Sequence, residues 1–154
     1  MTLEVGSPAP DFTLPTDGGG TITLSSLRGQ PVVLYFYPKD DTSGCTSQAC
    51  GFRDALPDFS GINARIIGVS RDSVASHDKF KAKHELNFTL ASDHEGAVTE
   101  AYGVWVEKSM YGRKYMGIER ATYLIDKDGN IAQIWRKVKV TGHVKAVLKA
   151  VNEL

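Results

Sequence analysis

Cysteine is scarce in this sequence: Cys45 and Cys50 are its only two in 154 residues. Net charge is absent, because 18 lysines and arginines balance 18 aspartates and glutamates, which argues against a general nucleic-acid binder. No apolar run reaches the length of a membrane span. The opening MTLEVGSPAPDF has neither a basic n-region nor an apolar h-region, so no secretory signal is expected and a cytoplasmic location is the default. Internal repeats, low-complexity segments and linkers are also missing, and the length fits one domain over residues 1–154. The two cysteines lack the C-x-x-C spacing of ordinary dithiol chemistry. Nor is there an adjacent histidine pair to complete a four-ligand zinc site. His77, His84, His94 and His143 are scattered, so the sequence pairs no histidine base with Cys45 and gives none of the four a role.

What remains is ordinary globular composition, 42% hydrophobic and 23% charged, with strand and helix patterns in alternation. DFTLPTDGGGTITLSSL reads as a hairpin, with Phe12 and Leu14 before Gly18-Gly19-Gly20 and Ile22 and Leu24 after. PVVLYFYP (31–38) and ARIIGVS (64–70) are continuous apolar runs, as strands buried on both faces would be. A helix is expected from Cys45 to about Leu56, with Pro57 marking its end. Residues 73–86 read as a charged, solvent-laced helix, 88–93 as a short strand and 96–104 as a short helix. Residues 120–138 give two strands joined by a turn carrying Asp128-Gly129. In the tail, Val144, Val147, Leu148, Val151 and Leu154 recur at helical spacing, which places one face on the sheet. EKSMYGRKY (107–115) reads as a basic, loop-like segment. Phe36 and Tyr37 suit a core or pocket wall, and Trp105 a packing role. The whole is an α/β arrangement with a mixed central sheet flanked by helices and an N-terminal β-hairpin.

Thr42-Ser43-Gly44 suits a turn and a helix cap, which puts Cys45 in the first helical turn. Unpaired amide N–H groups there favour a thiolate, the reactive form of cysteine. Cys50 follows about a turn and a half later. Helix geometry sets the two Cα atoms roughly 8.7 Å apart, beyond the about 6.8 Å a disulfide tolerates. A bond between them therefore requires the helix to unwind, and Gly51 weakens it by about 1 kcal/mol relative to alanine. On this pattern alone, inert buried thiols remain an open alternative. Asp40 and Asp41 are expected to face solvent.

PKDDTSGC places Pro38, Thr42 and Cys45 in the P-x-x-x-T-x-x-C pattern of peroxiredoxins. The longer run FYPKDDTSGCTSQACGFRD resembles the PrxQ, or bacterioferritin comigratory protein, subfamily. GSPAPDFTLPT near the start and GVWVEKSMYGRKYMGIERATYLID at 103–126 agree with it. The resemblance implies a thioredoxin-like fold and a monomeric thiol peroxidase that reduces hydrogen peroxide and organic hydroperoxides, without metal, haem or flavin. It implies that Cys45 is the peroxidatic cysteine, oxidised to a sulfenic acid, and that Thr42 hydrogen-bonds peroxide and thiolate. Pro38 would shield the pocket, and Arg120 would stabilise the thiolate and the departing oxygen. Cys50 corresponds to the resolving cysteine, which closes an intramolecular disulfide that thioredoxin or a similar dithiol donor reduces. Ser43 stands where the subfamily usually has proline, so a looser loop is one expectation and a capping serine another. The alternatives are a thioredoxin-fold protein disulfide reductase and a peroxide-sensing binding module.

Overall fold

The computed structural model describes residues 3–154. The expected N-terminal hairpin pairs β1 (Thr13–Pro15) with β2 (Thr21–Thr23), Leu14 opposite Ile22. Five strands then build the main sheet: β3 (Val32–Phe36), β4 (Arg65–Ser70), β5 (Thr89–Ser92), β8 (Ala121–Ile125) and β9 (Ile131–Trp135). Their spatial order is β5-β4-β3-β8-β9, parallel across the first three and antiparallel across the last three. The helices are α1 (Ser43–Gly61), α2 (Val74–His84), α3 (Ala97–Ala101) and α4 (His143–Asn152).

β3 shows why the run at 31–38 is apolar throughout. Side chains alternate across a strand, and Val32, Leu34 and Phe36 join one core with Leu14, Ile22, Val98 and Tyr102. Val33, Tyr35 and Tyr37 join the other, under α1, α2 and α4. In α1 the buried residues Cys45, Ala49, Phe52 and Phe59 follow helical spacing, so the first cysteine belongs to the apolar stripe that fastens the helix to the sheet. In α4, Val147 and Val151 turn inward as the tail pattern predicts, with Val144 and Leu148 half-buried beside them; Leu154 departs from it, lying beyond the helix end and exposed to solvent.

Two sequence expectations are corrected. The first helix does not stop at Leu56; it continues through Pro57 to Gly61. Proline cannot donate to the carbonyl four residues back, and here the Asn87 side-chain amide donates to the Arg53 carbonyl instead, at 3.2 Å. The segment 107–115 is not a loop. It lies in a second hairpin, β6 (Trp105–Met110) against β7 (Arg113–Ile118). Tyr111 and Gly112 turn it with φ of 53° and 78°, the two positive values a tight two-residue connection needs. No helix among the described residues is long and apolar enough to cross a membrane.

Candidate active site

β3 delivers the chain to Pro38, the loop 39–42 follows, and α1 begins at Ser43 with Thr42 as its N-cap residue. Cys45 thus falls in the first turn, as expected, with only 2% of its surface exposed. Both thiols are free, and Cys50 is half-buried further along the same helix.

Arg120 comes from the other side of the sheet register. β8 lies antiparallel to β3 with Ala121 opposite Phe36, so the preceding residue lies beside the exit of β3. Its Nη2 donates to Cys45 Sγ at 3.3 Å and its Nη1 to Gln48 Oε1 at 2.6 Å. Cys45 and Gln48 are three residues apart on one helix face, and the guanidinium fork spans both. Gly44 belongs to this arrangement: a Cβ there would stand 3.1 Å from Arg120 Nη2. The fixed positive charge stabilises a sulfur anion and any oxygen anion formed next to it.

Thr42 does not bond the sulfur. Its hydroxyl donates to the Lys39 carbonyl at 2.9 Å, which leaves the oxygen lone pairs to accept a proton donor such as a peroxide O–H. Pro38 is half-buried and borders a cleft of about 350 Å³ with Lys39, Trp105, Lys108, Met116 and Ile118. Lys108 was not singled out by the sequence. Burial, and then the Arg120 charge, hold its pKa below the ordinary lysine value, which places it in the field of the site. Trp105 packs on the first core and carries the Arg71 guanidinium 3.4 Å above its ring.

The expectation that both loop aspartates face solvent holds only for Asp41. Asp41 is exposed and accepts from Lys83 and His84 of α2, and the Lys83 hydrogen bond is the first cause of its lowered pKa. Asp40 is buried because donors surround it. Tyr37 Oη donates to one oxygen at 2.5 Å, and His77 Nδ1 and Ser76 Oγ donate to the other at 2.7 and 2.8 Å. A buried carboxylate is tolerable when paired in this way. Asp72, half-buried, accepts from the Asp40 backbone N–H at 2.8 Å and from Ser70 Oγ at 2.6 Å. His77, left without a role by the sequence, is therefore part of the loop's anchorage. The one sequence signal was its position three residues before Phe80, on the same helix face. Asp40, Asp72 and His77 bring potential ligand atoms within 4.8 Å of one another, but the pairing of Asp40 with His77 already uses the carboxylate and ring nitrogen a cation would need.

His143 is the second buried histidine. Its Nε2 lies 2.8 Å from Thr122 Oγ1, and burial together with the Arg120 charge lowers its pKa to about 4. It stays neutral near pH 7.

Comparison with known proteins adds relatives to this geometry. The family model described as AhpC/TSA matches residues 5–134. Peroxiredoxin Bcp of Bacillus subtilis is 51% identical over 154 residues, covering 100% of this chain and 98% of that protein. A structure of the Xanthomonas campestris bacterioferritin comigratory protein, concerned with its alkyl peroxide reduction activity, superposes with a TM-score of 0.90 at 46% identity, covering 98% and 96% of the two chains. A cysteine-to-serine variant of Xylella fastidiosa PrxQ superposes with a TM-score of 0.94 at 41% identity, covering 99% and 98%. The sheet, its flanking helices and the N-terminal hairpin are those of a thioredoxin-like peroxiredoxin fold.

Proposed function

The chain belongs to the AhpC/TSA family and is a peroxiredoxin, a thiol-dependent peroxidase, and from that premise we propose that Cys45 is its peroxidatic residue and Cys50 its resolving one. The observation that carries this reading is the Arg120 donor 3.3 Å from Cys45 Sγ. The Cys45 thiolate attacks the terminal oxygen of a hydroperoxide. An S–O bond forms, the O–O bond breaks, the sulfur becomes a sulfenic acid, and the departing alkoxide or hydroxide takes up a proton. Arg120 stabilises the negative charge as it moves from sulfur to the leaving oxygen. Thr42 orients the peroxide as an acceptor of its O–H, and Pro38 screens the sulfur from bulk water.

Once α1 unwinds, the Cys50 thiolate attacks the sulfenic sulfur and expels hydroxide to leave a disulfide. A thioredoxin-type dithiol then reduces that disulfide by exchange. Hydrogen peroxide and organic hydroperoxides are the substrates, and the apolar members of the adjoining cleft, Trp105, Met116 and Ile118, suit an alkyl group. Resolution within one chain needs no second subunit, which fits a monomer acting as one domain in the cytoplasm. Disulfide reduction in a partner protein is disfavoured, because a thiol 2% exposed cannot meet a protein disulfide without prior unfolding.

Intact mass after one equivalent of hydrogen peroxide tests the assignment. The parent protein should lose two hydrogens, and Cys50→Ser should gain one oxygen that a sulfenic-acid trap captures. An unchanged mass with both thiols still alkylatable would remove the roles given to Cys45 and Cys50.

A further inference from the structure

The loop that carries Pro38 and Thr42 is held from beneath by a buried ion pair, and its geometry goes further than anchorage. We propose that His77 is a positioning residue for the peroxide step: by holding Asp40 it fixes the peptide between Lys39 and Asp40, and through that peptide it fixes the Thr42 hydroxyl as a hydrogen-bond acceptor for the substrate. The inference rests on the peroxidase reading above.

The chain of contacts is continuous. His77 Nε2 lies 3.0 Å from the Ala91 carbonyl and Nδ1 2.7 Å from Asp40 Oδ2. Both partners are acceptors, so both ring nitrogens carry protons and the ring is an imidazolium. Burial opposes that charge, yet the Asp40 hydrogen bond and attraction keep its pKa above the ordinary 6.5. The groups facing it are Asp40 and Tyr37 from the strand-to-loop exit, Asp72 from the segment after β4, and Ser76 on its own helix.

Asp40 in turn presents its backbone N–H to Asp72, while the carbonyl of the same peptide, that of Lys39, accepts the Thr42 hydroxyl proton. The direction of that proton is set by a peptide plane whose N–H the Asp72 carboxylate accepts and whose Asp40 side chain His77 holds. Side-chain exposure is 0% for His77 and 3% for Asp40, so water cannot take over either role. A buried ion pair is a poor way to add stability, and replacing one by apolar groups is often neutral. What it supplies is fixed geometry, which an oriented bimolecular reaction rewards.

The test compares two single-turnover rates of Cys45 across pH, reaction with hydrogen peroxide and alkylation by iodoacetamide. Both are measured in a Cys50→Ser background so that one thiol remains. Alkylation senses the thiolate and its access but makes no use of Thr42. In the parent background the ratio of peroxide to alkylation rate should fall at alkaline pH. There the imidazolium loses a proton, and either Asp40 or the Ala91 carbonyl loses its donor. His77→Gln should lower the peroxide rate about tenfold, hold alkylation within about twofold and abolish the pH dependence of the ratio. Ser76→Ala, which keeps the ion pair and removes one donor to Asp40, should show a smaller loss of about threefold, again in peroxide rate alone.

Equal losses in both rates, or no loss in a folded His77→Gln, would overturn the inference. If His77→Gln does not fold, the parent ratio and Ser76→Ala decide, and a pH-independent parent ratio overturns it. Failure of the unsubstituted protein to consume peroxide at all would instead bring down the peroxidase roles, and this inference with them.

Discussion

Arg120 reaches Cys45 from 75 positions away in the chain, and its planar fork meets sulfur and amide oxygen together. A lysine at this site keeps the charge but offers a point donor that cannot span both. Arg120→Lys should lower the single-turnover peroxide rate about a hundredfold, the scale of losing one well-aimed donor to developing charge; a change within about threefold would show that the fork is not used. Ser43, where the subfamily pattern usually has proline, is a second residue-scale case. It is the first residue of α1 and is exposed, and proline is favoured at that helical position. Thr42 before it already has φ −90° and ψ 156°, the extended backbone a following proline imposes. Ser43→Pro should therefore raise stability by about 0.5 kcal/mol in urea unfolding and slow disulfide closure after oxidation. Destabilisation would mean that the serine N–H or hydroxyl holds the helix start.

At the scale of elements, α1 is held along its length, its first turns by the Arg120 fork on Cys45 and Gln48. From Arg53 onward it is tied to its surroundings, with Arg53 Nη1 on the His84 carbonyl at 2.7 Å and Asn87 on the Arg53 carbonyl, while the stretch holding both cysteines ends at Gly51, where a Cβ would stand 3.1 Å from Val144. Asn87→Ala should cost about 1 kcal/mol, because it strands the carbonyl that Pro57 leaves without a donor. In a Pro57→Ala background that cost should shrink, since the helix then supplies its own N–H; a double-mutant cycle with no coupling would refute the compensation. This device lets the helix run past the end that its proline marks. Pro57 is visible in the sequence, but the side chain that offsets it lies 34 positions from the carbonyl it bonds. The same holds for Arg120 and Asp40: residue motifs mark the arginine, yet only the β3–β8 register places it, and only the fold shows donors closing around a carboxylate. The alternating strands and the apolar face of α4 were legible because period and composition are local. β6–β7 was not, because its apolar and charged residues follow no strict alternation and its turn, Tyr111–Gly112, carries only one turn-forming residue.

For the whole molecule, the two buried histidines shape the pH dependence of stability in opposite directions. His143 has a folded pKa of about 4 against 6.5. Between those values the unfolded chain binds a proton that the folded one refuses, so stability falls on acidification, by about 3 kcal/mol in all. His77 has a folded pKa above 6.5; its contribution is complete below 6.5 and is lost as pH rises through the raised value. Urea midpoints should therefore peak near the ordinary histidine value, and His143→Gln should flatten the acid side alone. An acid limb unchanged in that variant would place the loss on carboxylates instead. With Cys45 and Cys50 in their proposed roles, two thiols roughly 8.7 Å apart on an intact helix cannot join until it melts, so each molecule oxidised at Cys45 would enter a race between a first-order melting step and a second oxidant molecule arriving by diffusion. The quotient of those two rate constants is a concentration. Below it nearly every catalytic cycle closes; above it the sulfur climbs to the sulfinic state from which dithiols cannot return it. On those proposed roles, the first turns of α1 would act as a timer that fixes how much oxidant the protein can meet before it is spent.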